Sequence, residues 1–203
     1  RWPLPGNKDG GRLPGEAKGM RDQYAPDEIL RHAENFIRLN ADRPFFCYFS
    51  TILPHVELAV PDKELEEKYR KRFGDEEPFF DPREGYQGSQ YPRATYAAMI
   101  EHMDRNVGKL VDLLDELGIA DDTVVIFTSD NGGQGSYGGS GSEFFSFFES
   151  MKPYRGTKGQ FYEGGIRVPM IVRWPGKVTA GTVNDDLPVY FADIMPTLAD
   201  MAG

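Results

Sequence analysis

Thr123-Val124-Val125-Ile126-Phe127-Thr128-Ser129-Asp130-Asn131-Gly132 is the stretch on which the fold turns. Its unbroken apolar and β-branched run predicts a strand covered on both faces, as in a parallel or mixed α/β sheet. The run delivers an acid–amide pair and then breaks at Gly132. Ligand sites in such sheets gather beyond the carboxyl ends of the strands, where Asp130 and Asn131 arrive. Two hard oxygen donors side by side suit Ca²⁺ or Mg²⁺ better than Zn²⁺. Asp, Asn and Gly also favour plain turns, and the decapeptide alone supports either use.

Upstream, Tyr96, Ile100, Met103, Val107, Leu110, Leu114 and Leu117 alternate spacings of four and three. They form one apolar stripe on a long helix, with Gly118 placed to end it. His102 and Asp104 fall off the stripe and read as structural or solvated. Further back, Ile29, Leu30, Ala33, Phe36 and Ile37 predict another helix, opened by Pro26, Asp27 and Glu28. An apolar run over 45–51 then predicts a second buried strand, followed by Leu53-Pro54-His55. Helix, turn and strand make the αβ half of a parallel crossover. A histidine after a strand end serves either as a structural hydrogen-bonder or as a reactive group. Residues 62–72 predict a charged helix with little apolar face, solvated on the surface.

Downstream of Asn131 comes a glycine- and serine-rich loop, then Phe144, Phe145, Phe147 and Phe148. Those rings suit a wall for a sugar or aryl group, or a cover for the core. Next is Arg155-Gly156-Thr157-Lys158-Gly159, followed by Tyr162-Glu163-Gly164-Gly165-Ile166-Arg167-Val168-Pro169. Glycine pairs permit close backbone approach. Lys158 is a solvated charge by itself, and an anion ligand if the topology sets it near the strand end at Asp130. A strand over 170–173 and a closing helix over 193–202, with Pro196 in its first turn, complete the chain.

The totals describe a folded, acidic chain. Its 203 residues carry a net charge of −9, which argues against general affinity for nucleic acid or anionic membrane. An aromatic share of 13% argues against disorder. No apolar stretch approaches the length of a membrane span. Cys47, the single cysteine, excludes an internal disulfide and reads as a buried structural thiol. Residues 1–24 lack any period and read as an irregular segment, leaving 25–203 as one domain. Arg1 is no initiator and the last helix runs to the end at Gly203, as expected of an excerpt.

A carboxylate, an amide, a histidine, a lysine and Arg155 together can hold a divalent cation beside a tetrahedral oxyanion. The blocks 44–55, the helix and strand ending in Ser129-Asp130-Asn131-Gly132, and 158–169 resemble, in order and spacing, the sulfatase family of the alkaline-phosphatase-like superfamily. The resemblance covers most of residues 25–203. It implies an α/β fold with a mixed, mostly parallel sheet flanked by helices, here as a partial domain truncated at both ends. It implies that Asp130 and Asn131 are Ca²⁺ ligands (half of the site, with Mg²⁺ less suited), that Lys158 binds a sulfate oxygen, and that His55 contacts the sulfate. Both Lys158 and His55 thus count as catalytic and substrate-binding. Glu163 and the glycine pair are implied to shape their loop.

The chain departs from the family pattern in one large respect. The Cys-x-Pro-x-Arg motif that yields the formylglycine nucleophile is missing, because Cys47 is followed by Tyr48, Phe49, Ser50 and Thr51. The first aspartate pair of the calcium site is missing too. The resemblance therefore implies a sulfuric ester hydrolase of aryl or carbohydrate sulfate monoesters whose formylglycine lies outside this chain, with the isolated chain inactive. The alternatives are a phosphatase or phosphodiesterase of the same superfamily, or a non-catalytic relative that binds sulfated glycans. Asn131 and Lys158 favour sulfate. Export, whether periplasmic, secreted or lysosomal, follows from the resemblance alone.

Overall fold

The computed structural model describes residues 23–55, 57–79, 88–135 and 142–203. Apart from Gln23 and Tyr24, the segment expected to be irregular over 1–24 lies outside them. The centre of the helical layer is α3 (Pro92–Glu116), against which α1 (Ala25–Asn40) and α2 (Lys63–Phe73) pack. Pro26 sits in the first turn of α1, and Leu30, Ala33 and Ile37 form its buried face. Helix α3 lacks a side-chain cap from Tyr91. Instead the Glu76 carboxylate accepts the backbone N–H groups of Arg93 (2.5 Å) and Ala94 (3.2 Å), which would otherwise be orphaned. At the far end the chain leaves α3 through Gly118 at φ +70°, with the Ile119 N–H bonded to the Leu114 carbonyl.

Helix α2 is less solvated than its charge suggests. Its Leu65 is 2% exposed and joins Leu53, Leu58, Val60, Met99 and Phe144 in the core. The Asp62 carboxylate caps α2 at the Leu65 N–H (2.9 Å). Part of its polar surface faces α3, where Glu101 accepts from Lys68 and Tyr69 of α2 and from Arg105 of α3 itself. His102 is structural, as expected: its Nε2 bonds Asp27 of α1 (2.6 Å), with the Tyr24 ring edge-on to it.

Strand β1 (Val125–Thr128) pairs antiparallel with β2 (Met170–Arg173), in the register Val125 to Arg173 and Thr128 to Met170. The deciding run does form a strand, but a half-buried one rather than one covered on both faces. Its inner side meets Ile37, Leu113 and Leu114 through Val125. The expected second strand also differs. Residues 45–51 alternate in exposure but form no strand and enter no ladder among the described residues. Phe45 and Cys47 pack on the α1–α3 layer, whereas Phe46 and Tyr48 are 68% and 81% exposed. The Cys47 thiol is half-buried, and that burial raises its pKa.

The apolar stripe of α3 is not its most buried face. Pro92, Ala94, Thr95, Ala97, Ala98, Met99, Asn106, Leu113 and Leu114 are its buried positions, where α1 and α2 flank the helix, and of the stripe only Leu114 is among them. Tyr96, Met103, Val107 and Leu110 instead look into a large open cavity on the sheet side. A 3₁₀ turn (Ala120–Asp122) joins α3 to β1, α4 spans Ser142–Phe147, α5 is the single turn Glu163–Ile166, and α6 (Phe191–Ala202) ends the chain. No helix among the described residues is long and apolar enough to cross a membrane.

Candidate functional site

The chain leaves β1 through Ser129, Asp130 and Asn131 and is then pinned by glycines. The Gly132 N–H donates to the Gly165 carbonyl (2.9 Å), and the Lys158 N–H donates to the Gly133 carbonyl (2.8 Å). A Cβ on Gly132 would lie 1.9 Å from the Gly164 carbonyl oxygen, and one on Gly164 would lie 2.2 Å from that of Gly156. The loop after β1 and the loop carrying Lys158 therefore interlock at a spacing that no side chain permits. The Gly164-Gly165 pair serves the close approach expected of it.

That lock carries the site. Lys158 is half-buried and forms no ion pair among the described residues. Asp130 is exposed at the mouth of the turn. Asn131 donates its Nδ2 to the Gly132 carbonyl (3.2 Å), and its Oδ1 is the acceptor of the pair. His55 closes a turn through its N–H to the Ile52 carbonyl (3.0 Å) and is exposed. All four residues line the same open cavity, of about 3220 Å³. Its other walls are the α3 stripe, residues 41–54 and α6.

Three neighbours sharpen the picture. Arg155 stacks on the Tyr162 ring (3.9 Å) and donates to its hydroxyl (2.8 Å), so it braces the lysine loop. Glu163 pairs with Arg167 one turn on and raises the guanidinium's pKa, mainly through that hydrogen bond. This agrees with a loop-shaping Glu163. Arg167 itself lines the cavity with Lys158, a placement that residue spacing did not reveal. Of the phenylalanines, Phe144 is buried against Phe79 and Tyr96, and Phe148 packs on Phe73 and Tyr96. Those two rings cover the core first, although both also reach the cavity wall.

The donor set matches a metal only in part. Asp130 and the Oδ1 of Asn131 are hard oxygen donors that fit Ca²⁺. Calcium takes six to eight oxygens, and no group of three or more His, Cys, Asp or Glu side chains gathers among the described residues. The fit is that of a partial shell.

Comparison with known proteins bears on the same residues. The family model described as Sulfatase matches residues 4–203. A sulfatase of Formosa agariphila is 35% identical over 199 residues, covering 94% of this chain and 31% of that protein. The steryl-sulfatase of Mus musculus is 36% identical over 94% of this chain and 26% of its own length. Among solved structures, Ps i-CgsB in complex with k-i-k-neocarrahexaose superposes with a TM-score of 0.67 at 32% identity, over 91% of this chain and 35% of that one. The chain thus spans about a third or less of the proteins it matches. With β1, the lysine loop and the glycine lock all inside the matched stretch, the chain belongs to the sulfatase family.

Proposed function

We propose that this chain is the central and C-terminal part, over residues 25–203, of the catalytic domain of a sulfuric ester hydrolase acting on sulfate monoesters. The observation that carries the proposal is the interlocked glycine loops. They fix Lys158 beside the Asp130–Asn131 turn on the wall of a cavity that His55 also lines. A lysine on the same cavity wall as an acid–amide turn able to take a cation suits a tetrahedral oxyanion. Lys158 holds one sulfuryl oxygen and offsets charge growing there. His55 hydrogen-bonds a second oxygen or hands a proton to the departing alcohol. Asp130 and Asn131 would hold Ca²⁺, with its other oxygen ligands coming from outside this chain. Bound there, the ion would supply positive charge toward the same anion. The formylglycine nucleophile likewise lies outside the chain, so the isolated chain does not turn over.

Aryl and carbohydrate sulfates are the proposed substrates. The steryl-sulfatase relative and the neocarrahexaose bound by the structural neighbour support a ring-bearing substrate. Export is proposed with the family.

The test uses a protein that carries this chain together with a Cys-x-Pro-x-Arg segment, co-expressed with a formylglycine-generating enzyme. Hydrolysis of an aryl sulfate and an aryl phosphate is measured with and without Ca²⁺. Sulfate cleavage that depends on calcium and falls about 10²–10³-fold in Lys158→Ala is expected, the usual cost of removing one oxyanion donor. Faster cleavage of the phosphate, or an unimpaired Lys158→Ala, refutes the proposal.

A further inference from the structure

A second, smaller cavity of about 310 Å³ adjoins the large one. Gly133, Ser150 and Arg167 line both, so the two spaces share a wall. Gly133 is also the residue whose carbonyl accepts the Lys158 N–H, which sets the small cavity next to the lysine loop. A Cβ on Gly133 would lie 2.5 Å from Met151 Sδ and 3.3 Å from Ser150 Cβ, and both residues line the small cavity. The glycine thus keeps the join between the two spaces clear.

The polar side chains around this cavity are donors. Lys152 and Arg167 are its charged residues, Ser150 and Tyr154 add hydroxyls, and no carboxylate is among its described lining. Arg167 is held in place. Its Nε donates to Glu163, its Nη1 stands 3.5 Å from the Tyr154 hydroxyl, and its guanidinium lies 4.9 Å from the centre of the Tyr154 ring. Glu163 takes up one of five N–H donors and leaves the Nη groups for a ligand. Lys152 pairs with Glu149 in an exposed contact, weak enough for an incoming anion to share. A guanidinium fork, an ammonium and two hydroxyls around one opening suit a sulfate or a carboxylate. The volume is at the low end for ligand pockets, roughly 300–1,000 Å³, which suits one substituted sugar unit.

We propose that the small cavity is a second anion subsite, taking a sulfate or carboxylate group on the sugar unit next to the one whose sulfate ester meets Lys158. The substrate is then a polyanionic glycan rather than a singly sulfated one. This rests on the sulfate-ester reading above and narrows it. An uncharged aryl group would leave the donors of Arg167 and Lys152 unused. On a chain of net charge −9, a polyanion is drawn only where cations gather, and Lys158, Arg167 and Lys152 gather along two joined cavities.

The test uses the protein of the preceding assay with its motif cysteine replaced by alanine, so that ligands bind without turnover. Calorimetry titrates three disaccharides that carry the same sulfate ester. The neighbouring ring bears a second sulfate in one, a carboxylate in another and a hydroxyl in the third. An anionic neighbour should tighten binding about tenfold or more over the hydroxyl compound. A gain confined to the sulfate or to the carboxylate supports the subsite and names its group. Arg167→Gln should erase the gain and leave the hydroxyl compound's affinity within about twofold, whereas Arg167→Lys should keep part of the gain. Glu163→Gln breaks the ion pair but keeps the guanidinium, and should keep the gain. Equal binding of all three compounds by the parent overturns the subsite. So does an Arg167→Gln that weakens all three alike, since the arginine would then only support the loop. Lys158→Ala should weaken all three alike. If it leaves them unchanged while the anion gain persists, the role of Lys158 fails and the subsite stands. Binding of none of the three refutes the sulfate-ester reading, and the subsite with it.

Discussion

Replacing Gly132 by Ala tests whether the two loops of the candidate site are truly interlocked. The added Cβ would stand 1.9 Å from the Gly164 carbonyl oxygen and 2.8 Å from its carbon, both of them backbone atoms. Backbone must then move by about 1 Å or more, which costs on the scale of core overpacking, about 1–3 kcal/mol. That movement also strains the bond from the Gly132 N–H to the Gly165 carbonyl, worth a further ~0.5–1.5 kcal/mol. The total is about 2–4 kcal/mol. Gly159→Ala is the control. Gly159 has φ +82° and a Cβ added there would meet nothing within 4 Å, so its cost is confined to left-handed backbone strain of about 1–2 kcal/mol. Urea denaturation of the parent and both variants gives the stabilities, and hydrogen exchange at the Lys158 amide reports the neighbouring bridge. Gly132→Ala should be the costlier change and should also speed exchange at Lys158. Equal costs for the two variants, with the Lys158 amide still protected, would refute the interlock.

Further outcomes follow from the helical layer and the site. Asn106 is 2% exposed, and neither amide atom has a hydrogen-bond partner among the described residues. Asn106→Leu should therefore raise the unfolding free energy by about 1–3 kcal/mol in thermal or urea melts. Glu76→Ala removes the carboxylate that caps α3 and should cost about 0.5–2 kcal/mol, whereas Glu76→Asp should recover part of it. Hydrogen bonds from Lys68 and Tyr69 hold the Glu101 carboxyl at about 2, below its ordinary 4.5. A folded-state pKa lowered in this way gives stability that is complete above pH 4.5 and fades as pH falls toward 2. Glu101→Gln should flatten that part of a pH–stability curve.

The helices were legible because their signals are local. Pro26, Asp27 and Glu28 open α1, and Gly118 closes α3 by a conformation that glycine adopts readily. The strand before Asp130 was legible as a strand, but its burial was not, because which elements pack on a strand is decided by tertiary contacts and not by its own run. For the same reason residues 45–51 read as a strand although they pair with nothing among the described residues. The stripe of α3 marked a real face, yet the sequence does not say which neighbour meets it, and the most buried face is the alanine-rich one against α1 and α2. Charge on α2 hid the anchoring role of Leu65. At the site, Lys158 and Gly164-Gly165 were legible from glycine spacing. The position of Arg167 on the cavity wall depends on the turn of α5 and its pairing with Glu163, which no period encodes.

The register of β1 against β2 also has a kinetic consequence. Thr128 pairs with Met170 across a separation of about 40 residues, and the glycine lock joins the same two stretches. Closing a loop of that size costs little more entropy than closing one half as long, because the cost grows only with the logarithm of length. Asp130, Asn131 and Lys158 can thus be brought together by contacts confined to residues 125–173.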